Sequence, residues 1–542
     1  MRYHELLEKL RQSFPQPKSD RVHDAYFVFS ILRALDEVDR LKSEIPLLGT
    51  PGVVPDYDHA AKAVLPEGPS TIEDITPRLV EKLHGLPNWG HPRNQVNVVA
   101  PPSIPSIIGS LLPAIYNPNL VSEESAMRFL EDELEVWSMA ARLLGFDPER
   151  AAGVFTSGGT ATNLYGVRVG IEKAIPGAMR QGLRGDCVII ASKQGHYSKL
   201  NVASWTGVGS ENVVEIPTHA SNDMIVSLFE EKAREVIAAG KKIGCIIATM
   251  GTTDAFGIDD IGSIVAVRDR LVDELGLDYR PHVHADAVIG WAWSVFNDYD
   301  FERNELDFRP RTTRALANAC RRISKLHLAD SIGIDFHKTG FCPYVSSLFL
   351  LKDRADFDRI ARPRESMPYL YQTGDLHPGF FTLETSRPGT GVLAALGNLL
   401  LFGKEGLRAI LGHLVEMAEV LREHLEGHAA TTVLNGENVG TVTLFRAYPD
   451  GVDTWSIKER EAHDPAAREE LRRHNEYQRK IFEYLYDEAM RGDGILISMT
   501  GNYRSSDFGD PIAALKSYCL SPFIRESDVE LLVDKVLEAR RR

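Results

Sequence analysis

Two residues in the 542-residue chain combine unusual placement with strong chemistry. Lys338, in ADSIGIDFHKTGFCPY, closely follows an apolar, β-branched segment, with His337 beside it. Lysine is seldom buried without a purpose, and a desolvated amine has a lowered pKa and can form a Schiff base. A surface lysine that only buries its stem is the commoner case for lysines at large. Asp286, in HVHADAVIG, lies within an apolar strand-like run. A carboxylate there is costly unless paired, either with backbone N–H groups or with a protonated pyridine nitrogen.

Three other segments supply binding chemistry. TSGGTATNLYGV, residues 156–167, sets Gly158 and Gly159 before Thr160 and a helical run. This suits a phosphate cradle, because glycines allow close approach and a helix start presents free N–H groups. It equally suits a tight turn with Thr160 as N-cap. In ASKQGHYSKLNVASWTG, His196 sits just past a strand, where a flat imidazole can stack on an aromatic ligand; a lone loop histidine is more often simply solvated. In IIATMGTTDAFGIDDI, Thr252 and Thr253 follow another strand, and Asp259 and Asp260 read as caps of the next helix.

The elements that must position these residues alternate. DCVIIAS, NVVEIP, IGCIIATM, HVHADAVIG, SIGIDF and SSLFLLK read as strands, with helical stretches such as SLFEEKAREVIAAG between some of them. That alternation predicts an α/β domain with a mostly parallel sheet and helices on both faces. Ligands of such sheets bind outside the carboxyl ends of the strands. A long helical pattern begins near residue 390, and TVTLFRAYP, ILISMTGNY and ALKSYCLSP beyond it read as strands of a smaller α/β lobe. The expected division is an N-terminal helical and extended segment over 1–110, a large domain over 111–390 and a small domain over 391–542.

Bulk properties exclude several classes. Charged residues make up 25% of the chain and the formal net charge is −15, which argues against nucleic acid or an anionic membrane as partner. The five cysteines are scattered without CxxC spacing, which reads as reduced thiols in a cytoplasmic protein, with no metal site. No apolar run approaches the roughly 20 residues needed to span a bilayer.

Taken in order, TSGGTATN, the His196 loop, GTTDAFGIDD, HADAV and DSIGIDFHKTG resemble the group II amino-acid decarboxylases that depend on pyridoxal 5'-phosphate, such as glutamate, aromatic-amino-acid and tyrosine decarboxylases. The resemblance runs from about Gly90 to the C-terminus. It implies the aspartate-aminotransferase-like fold type I, with a seven-stranded large sheet. It also implies a homodimer with active sites at the interface, N-terminal helices that wrap the partner, and decarboxylation of an L-amino acid to amine and CO₂. Pyridoxal 5'-phosphate would be covalent on Lys338, with His196 stacked on its ring and Asp286 on the ring nitrogen. Gly158, Gly159, Thr160, Thr253, Val288, Ser331, Asp335 and His337 would complete the cofactor site, with Ser331, Asp335 and His337 around the phosphate end. Tyr371, with Tyr369 as the other candidate, matches a loop tyrosine that protonates the substrate carbanion. Lys516 stands where the family has a carboxylate-binding arginine, and Pro101 and Ser103 would touch substrate.

Phe336 and Val288 depart from the family pattern, which has proline before His-Lys and Ala-Ala after the strand aspartate. CPYVSSLFLLKD is similar to a pyridoxal-phosphate lyase that cleaves C–C bonds, the sphingosine-phosphate lyase type, whereas NVVAPPS and NPN favour the decarboxylases. An oxidative deaminase that forms an aldehyde is a further alternative. Trp89, Pro101, Pro102 and Ile104 lean the substrate towards an aromatic or apolar amino acid; Arg93, Arg387 and Lys516 keep an acidic one open.

Overall fold

The computed structural model describes residues 2–368 and 372–542. Twelve strands form two sheets. In chain order they are β1 (Asn94–Gln95), β2 (Ala152–Thr156), β3 (Cys187–Ser192), β4 (Val213–Ile216), β5 (Lys242–Thr249), β6 (His282–Asp286), β7 (Ser331–Asp335), β8 (Ser347–Leu351), β9 (Thr431–Val433), β10 (Val442–Ala447), β11 (Leu496–Ser505) and β12 (Pro511–Tyr518).

The large sheet has seven strands in the order β2-β8-β7-β6-β5-β3-β4. Strands β7, β6, β5, β3 and β4 pair in parallel, and β8 runs antiparallel to both its neighbours. The mostly parallel sheet of the fold type I expectation is therefore present. Its inner strands are buried throughout, except at Lys242 where β5 begins, which is why they read as continuous apolar runs rather than alternating ones. Strand β2 was absent from the sequence reading. AGVFT is five residues with two small side chains, too short and too weakly β-forming to stand out between a helix and a Gly-rich turn.

Parallel strands carry their carboxyl ends to one side. The segments after β2, β3, β5, β6 and β7 therefore converge there, and these are the segments singled out above. Helix α1 (Phe129–Leu144) precedes β2, and helix α2 (Gly159–Ala174) leaves it and packs across β5, β6, β7 and β8.

The second sheet has the order β1-β11-β12-β10-β9, antiparallel except for the β1–β11 pair. The N-terminal segment thus lends a strand to the small lobe, and Ser517 Oγ of β12 donates to Gln95 Oε1 of β1 at 2.6 Å. Helix α3 (Thr390–Glu426) links the two sheets and breaks at Gly403, whose φ of 53° only glycine adopts at little cost. The expected single helix is therefore two segments. Among the described residues no helix is long and apolar enough to cross a membrane, and all five cysteines are buried and unpaired.

Candidate active site

Strand β2 ends at Thr156, and α2 begins three residues later with Gly158 as its N-cap. Gly158 has a φ of 108°, so the turn needs glycine there. Gly159 needs it for space. A Cβ at that position would lie 2.9 Å from Asp335 Oδ2 and 3.0 Å from Val288 Cγ1. The turn is thereby pressed against the ends of β6 and β7. Thr160 is exposed on the first turn, where backbone N–H groups have no intrahelical acceptor. Glu384 braces the turn from behind: it accepts from Ser157 N at 3.2 Å and from Tyr165 Oη at 2.6 Å, and also from Thr156 Oγ1. Burial pushes its carboxyl up, but these hydrogen bonds outweigh burial and hold it below the usual carboxylate range.

Asp335 ends β7 and is 1% exposed. Its Oδ1 accepts from Ser347 Oγ at 2.6 Å, and its Oδ2 lies 3.0 Å from Lys338 Nζ and 3.4 Å from His337 Nε2. Burial opposes the charge on Lys338, but Asp335 first and then Asp286 overcome it, and the ammonium is held above the ordinary lysine value. This corrects the expectation of a lowered pKa, which considered burial without the carboxylates. Phe336, in place of the family's proline, is packed between Phe155 at 5.9 Å and Trp291 at 4.9 Å between ring centroids.

Asp286 ends β6 and is 4% exposed. Its Oδ2 accepts from Asn163 Nδ2 at 2.9 Å, while its Oδ1 is buried with no hydrogen-bond partner among the described residues. A buried, unpartnered carboxylate oxygen is costly, and a ligand that donates to it would remove the cost. His196 is part-buried after β3, and its Nδ1 accepts from Ser198 N at 3.2 Å. Burial lowers its pKa, with Asp286, Lys338 and Asp335 all close enough to act on it.

His196 also lines a cavity of about 410 Å³ with Lys193, Thr252, Thr253, Arg504 and Lys516. Lys338, Asp286 and Asp335 are not among the residues lining it, so His196 joins their cluster to this space. Thr253 is anchored there by its carbonyl, which accepts from Tyr518 Oη at 2.5 Å. Lys516 reaches the cavity but is paired with Asp254 at 2.7 Å.

Other expected site residues are placed differently. Ser331 begins β7 rather than ending it, about 13 Å of strand away from Asp335. Its hydroxyl is used by His282 and His284, so it is not at the phosphate end. Arg387 is 3% exposed and locked to Glu133 and to the carbonyls of Phe155 and Leu120, so it is not available to an acidic substrate. Ser103 caps the Ile104–Tyr116 helix and bonds Asn398, and neither it nor Pro101 lines the cavity. Tyr369 and Tyr371 lie outside the described residues. Asn163 has little to mark it in the sequence: a polar residue inside a helical pattern gives no sign that it will face β6, the fourth strand after it. Its one signal is its place on the first turns after the Gly-rich loop.

Among known proteins, residues 55–447 match the family model described as the pyridoxal-dependent decarboxylase conserved domain. L-2,4-diaminobutyrate decarboxylase of Acinetobacter baumannii is 25% identical over 378 residues, 67% of this chain and 68% of that protein. L-tyrosine decarboxylase of Enterococcus faecium is 26% identical over 362 residues, 62% of this chain and 56% of that protein. The solved glutamate decarboxylase domain of diaminobutyrate-pyruvate transaminase and L-2,4-diaminobutyrate decarboxylase from Vibrio parahaemolyticus superposes with a TM-score of 0.75 at 20% identity, covering 99% of each chain.

Proposed function

The chain belongs to the pyridoxal-dependent decarboxylase family, and from that premise we propose that Lys338, Asp286 and His196 carry an amino-acid decarboxylation whose substrate has a polar or charged side chain. A carboxy-lyase of this family uses pyridoxal 5'-phosphate, and the residues present fit that group. The orphaned Oδ1 of Asp286 suits a ring N–H, and the Gly158–Gly159 turn suits a phosphate. When bound, the cofactor supplies the electron sink for the pair left on Cα as CO₂ departs.

The rest is the work of the chain. With the cofactor bound, the free Oδ1 of Asp286 would hold the proton of the ring nitrogen. His196 would stack on the ring and exclude water. Backbone N–H groups of Gly158, Gly159 and Thr160 would hold the phosphate, and Val288 packs against Gly159. Asp335 and His337 keep Lys338 Nζ at hand, and Thr253 borders the substrate space. Either Tyr371 or Tyr369 returns a proton to Cα, in a homodimer whose interface completes the site.

Lys338 must lose a proton before its amine can attack a carbonyl. Because Asp335 and Asp286 hold that proton to a higher pH than usual, covalent capture of pyridoxal 5'-phosphate by the cofactor-free protein is expected to quicken as pH rises above neutral. Asp335→Asn removes the larger of the two carboxylate effects and should move the same profile to lower pH. Stopped-flow absorbance across pH reads both, and an unmoved profile would discount the role given to Asp335.

The observation that carries the substrate reading is the cavity wall. Lys193, His196, Asp254, Arg504 and Lys516 are polar or charged, and Trp89, Pro101 and Ile104 are not part of it. This favours a polar substrate over the aromatic or apolar one that the 89–105 segment suggested. Incubation with L-2,4-diaminobutyrate, L-aspartate, L-glutamate, L-tyrosine and L-leucine, following CO₂, amine and aldehyde, tests it. Turnover of a polar substrate with amine release is expected. Preference for tyrosine or leucine overturns the side-chain reading, and aldehyde in place of amine overturns simple decarboxylation.

A further inference from the structure

Asp286 is the end of a longer structure. His282, His284 and Asp286 are alternate residues of β6 and share one face. Helix α2 lies over that face, with Gly166 and Gly170 against the two histidines: a Cβ at Gly166 would lie 2.6 Å from His284 Cγ, and one at Gly170 3.0 Å from His282 Cβ. Ser331 of β7 pairs in register with His284. These residues and two from α2 form five successive hydrogen bonds beneath the sheet's carboxyl ends. Lys173 Nζ lies 3.2 Å from His282 Nδ1, and His282 Nε2 2.7 Å from Ser331 Oγ. Ser331 Oγ lies 2.8 Å from His284 Nδ1, His284 Nε2 2.9 Å from Asn163 Oδ1, and Asn163 Nδ2 2.9 Å from Asp286 Oδ2.

The donors can be assigned from the two ends inward. An ammonium only donates, and a carboxylate only accepts. Lys173 therefore donates to a bare Nδ1 on His282, whose Nε2–H donates to Ser331. The serine O–H donates to a bare Nδ1 on His284, whose Nε2–H donates to the Asn163 carbonyl. The Asn163 amide then presents N–H to Asp286. Every link points the same way and none is left over. Burial, the first cause for both rings, keeps His284 down at about 4 and His282 well below the usual imidazole range, so both stay neutral as the pattern requires. The far end is tied down by the Lys173–Asp356 ion pair at 2.5 Å.

We propose that Lys173, His282, Ser331, His284 and Asn163 form a one-directional hydrogen-bond relay that positions Asp286. The relay turns the N–H side of Asn163, not its carbonyl, towards the carboxylate. Asp286 is thereby held through Oδ2, with Oδ1 left open to the cofactor. The amide link cannot pass a proton onward without an imidic tautomer, so the relay orients dipoles and does not conduct. These are positioning residues; the inference rests on the assignment of Asp286 to the cofactor ring.

The test compares wild type, Ser331→Ala and Ser331→Thr. Removing the hydroxyl strips His284 of its donor and His282 of its acceptor, and is expected to weaken pyridoxal 5'-phosphate binding about tenfold, the upper end of what one hydrogen bond between neutral groups contributes. Threonine keeps the hydroxyl and should stay within about twofold of wild type if its methyl is accommodated. Because a buried substitution can disturb folding, the second measurement uses unaltered protein. Selective ¹⁵N labelling of histidine in the cofactor-free chain should show His282 and His284 as neutral Nε2–H tautomers, assigned by His282→Gln and His284→Gln. An Nδ1–H tautomer at either ring, or alanine binding cofactor as tightly as wild type, overturns the relay. Wild type that fails to capture cofactor on Lys338 overturns the site assignment instead, and the tautomer measurement still judges the relay.

Discussion

Lys338→Ala is expected to abolish covalent capture of pyridoxal 5'-phosphate and to lower decarboxylation by on the order of 10³-fold, within the range lost when a positioned proton-transfer group is removed. The residue has two roles that the substitution removes together. Its amine is set among Asp335, Asp286 and His337, and once displaced by the substrate's amine it would be free again to act as a base. Its charge also compensates Asp335, whose Oδ2 it meets at 3.0 Å in a buried setting. Alanine leaves that carboxylate with only Ser347 and His337, so some loss of stability is expected as well. Lys338→Arg separates the two effects. Arginine keeps the charge and should recover most of the thermal stability, but it has no nucleophilic amine and should stay inactive. Absorbance of the bound cofactor, CO₂ release and a melting curve read all three quantities. Activity of the arginine variant comparable to wild type would remove Lys338 from the chemistry.

The second large effect is expected at Asp286. Asp286→Asn is nearly isosteric, so β6 and its packing on α2 should persist. What changes is the charge at Oδ1. Under the proposed assignment, the ring nitrogen would lose the partner that keeps it protonated, and the electron sink would weaken. A loss of 10²–10³-fold in kcat is expected, on the order of other preorganised electrostatic contacts. The cofactor should still attach to Lys338, which distinguishes this variant from Lys338→Ala. A kcat within about twofold of wild type, with cofactor bound, would assign Asp286 to structure alone.

The site was legible to unequal degrees. Lys338, Asp286 and the Gly158–Gly159 turn stand out as candidates because each breaks a local rule: a charge in an apolar run, or glycines at a strand–helix joint; His196 breaks none and is marked only by its place just past a strand. Ser331 was misplaced because sequence distance from Lys338 does not tell which end of β7 faces the ligand. Arg387 was misjudged because its partner, Glu133, is 254 residues away. Lys516 does line the cavity, but its pairing with Asp254 joins two lobes and has no local trace. The substrate preference shifted for a similar reason: the apolar residues of the 89–105 segment do not line the cavity, whereas β11 and β12 bring Arg504 and Lys516 to it.

Local pattern alone determined the α/β class and most of the order of the elements, because periodicity and the placement of charged or glycine residues within apolar runs are short-range properties; the kind of cofactor came from the resemblance of those motifs to a known family. The tertiary structure decided which groups are spent on one another. It raised rather than lowered the proton affinity of Lys338, because two carboxylates from different strands meet there. It also drew Lys173, His282, Ser331, His284 and Asn163 into one line behind Asp286. Those five residues come from two strands and a helix, and only packing determines that every hydrogen bond among them runs the same way.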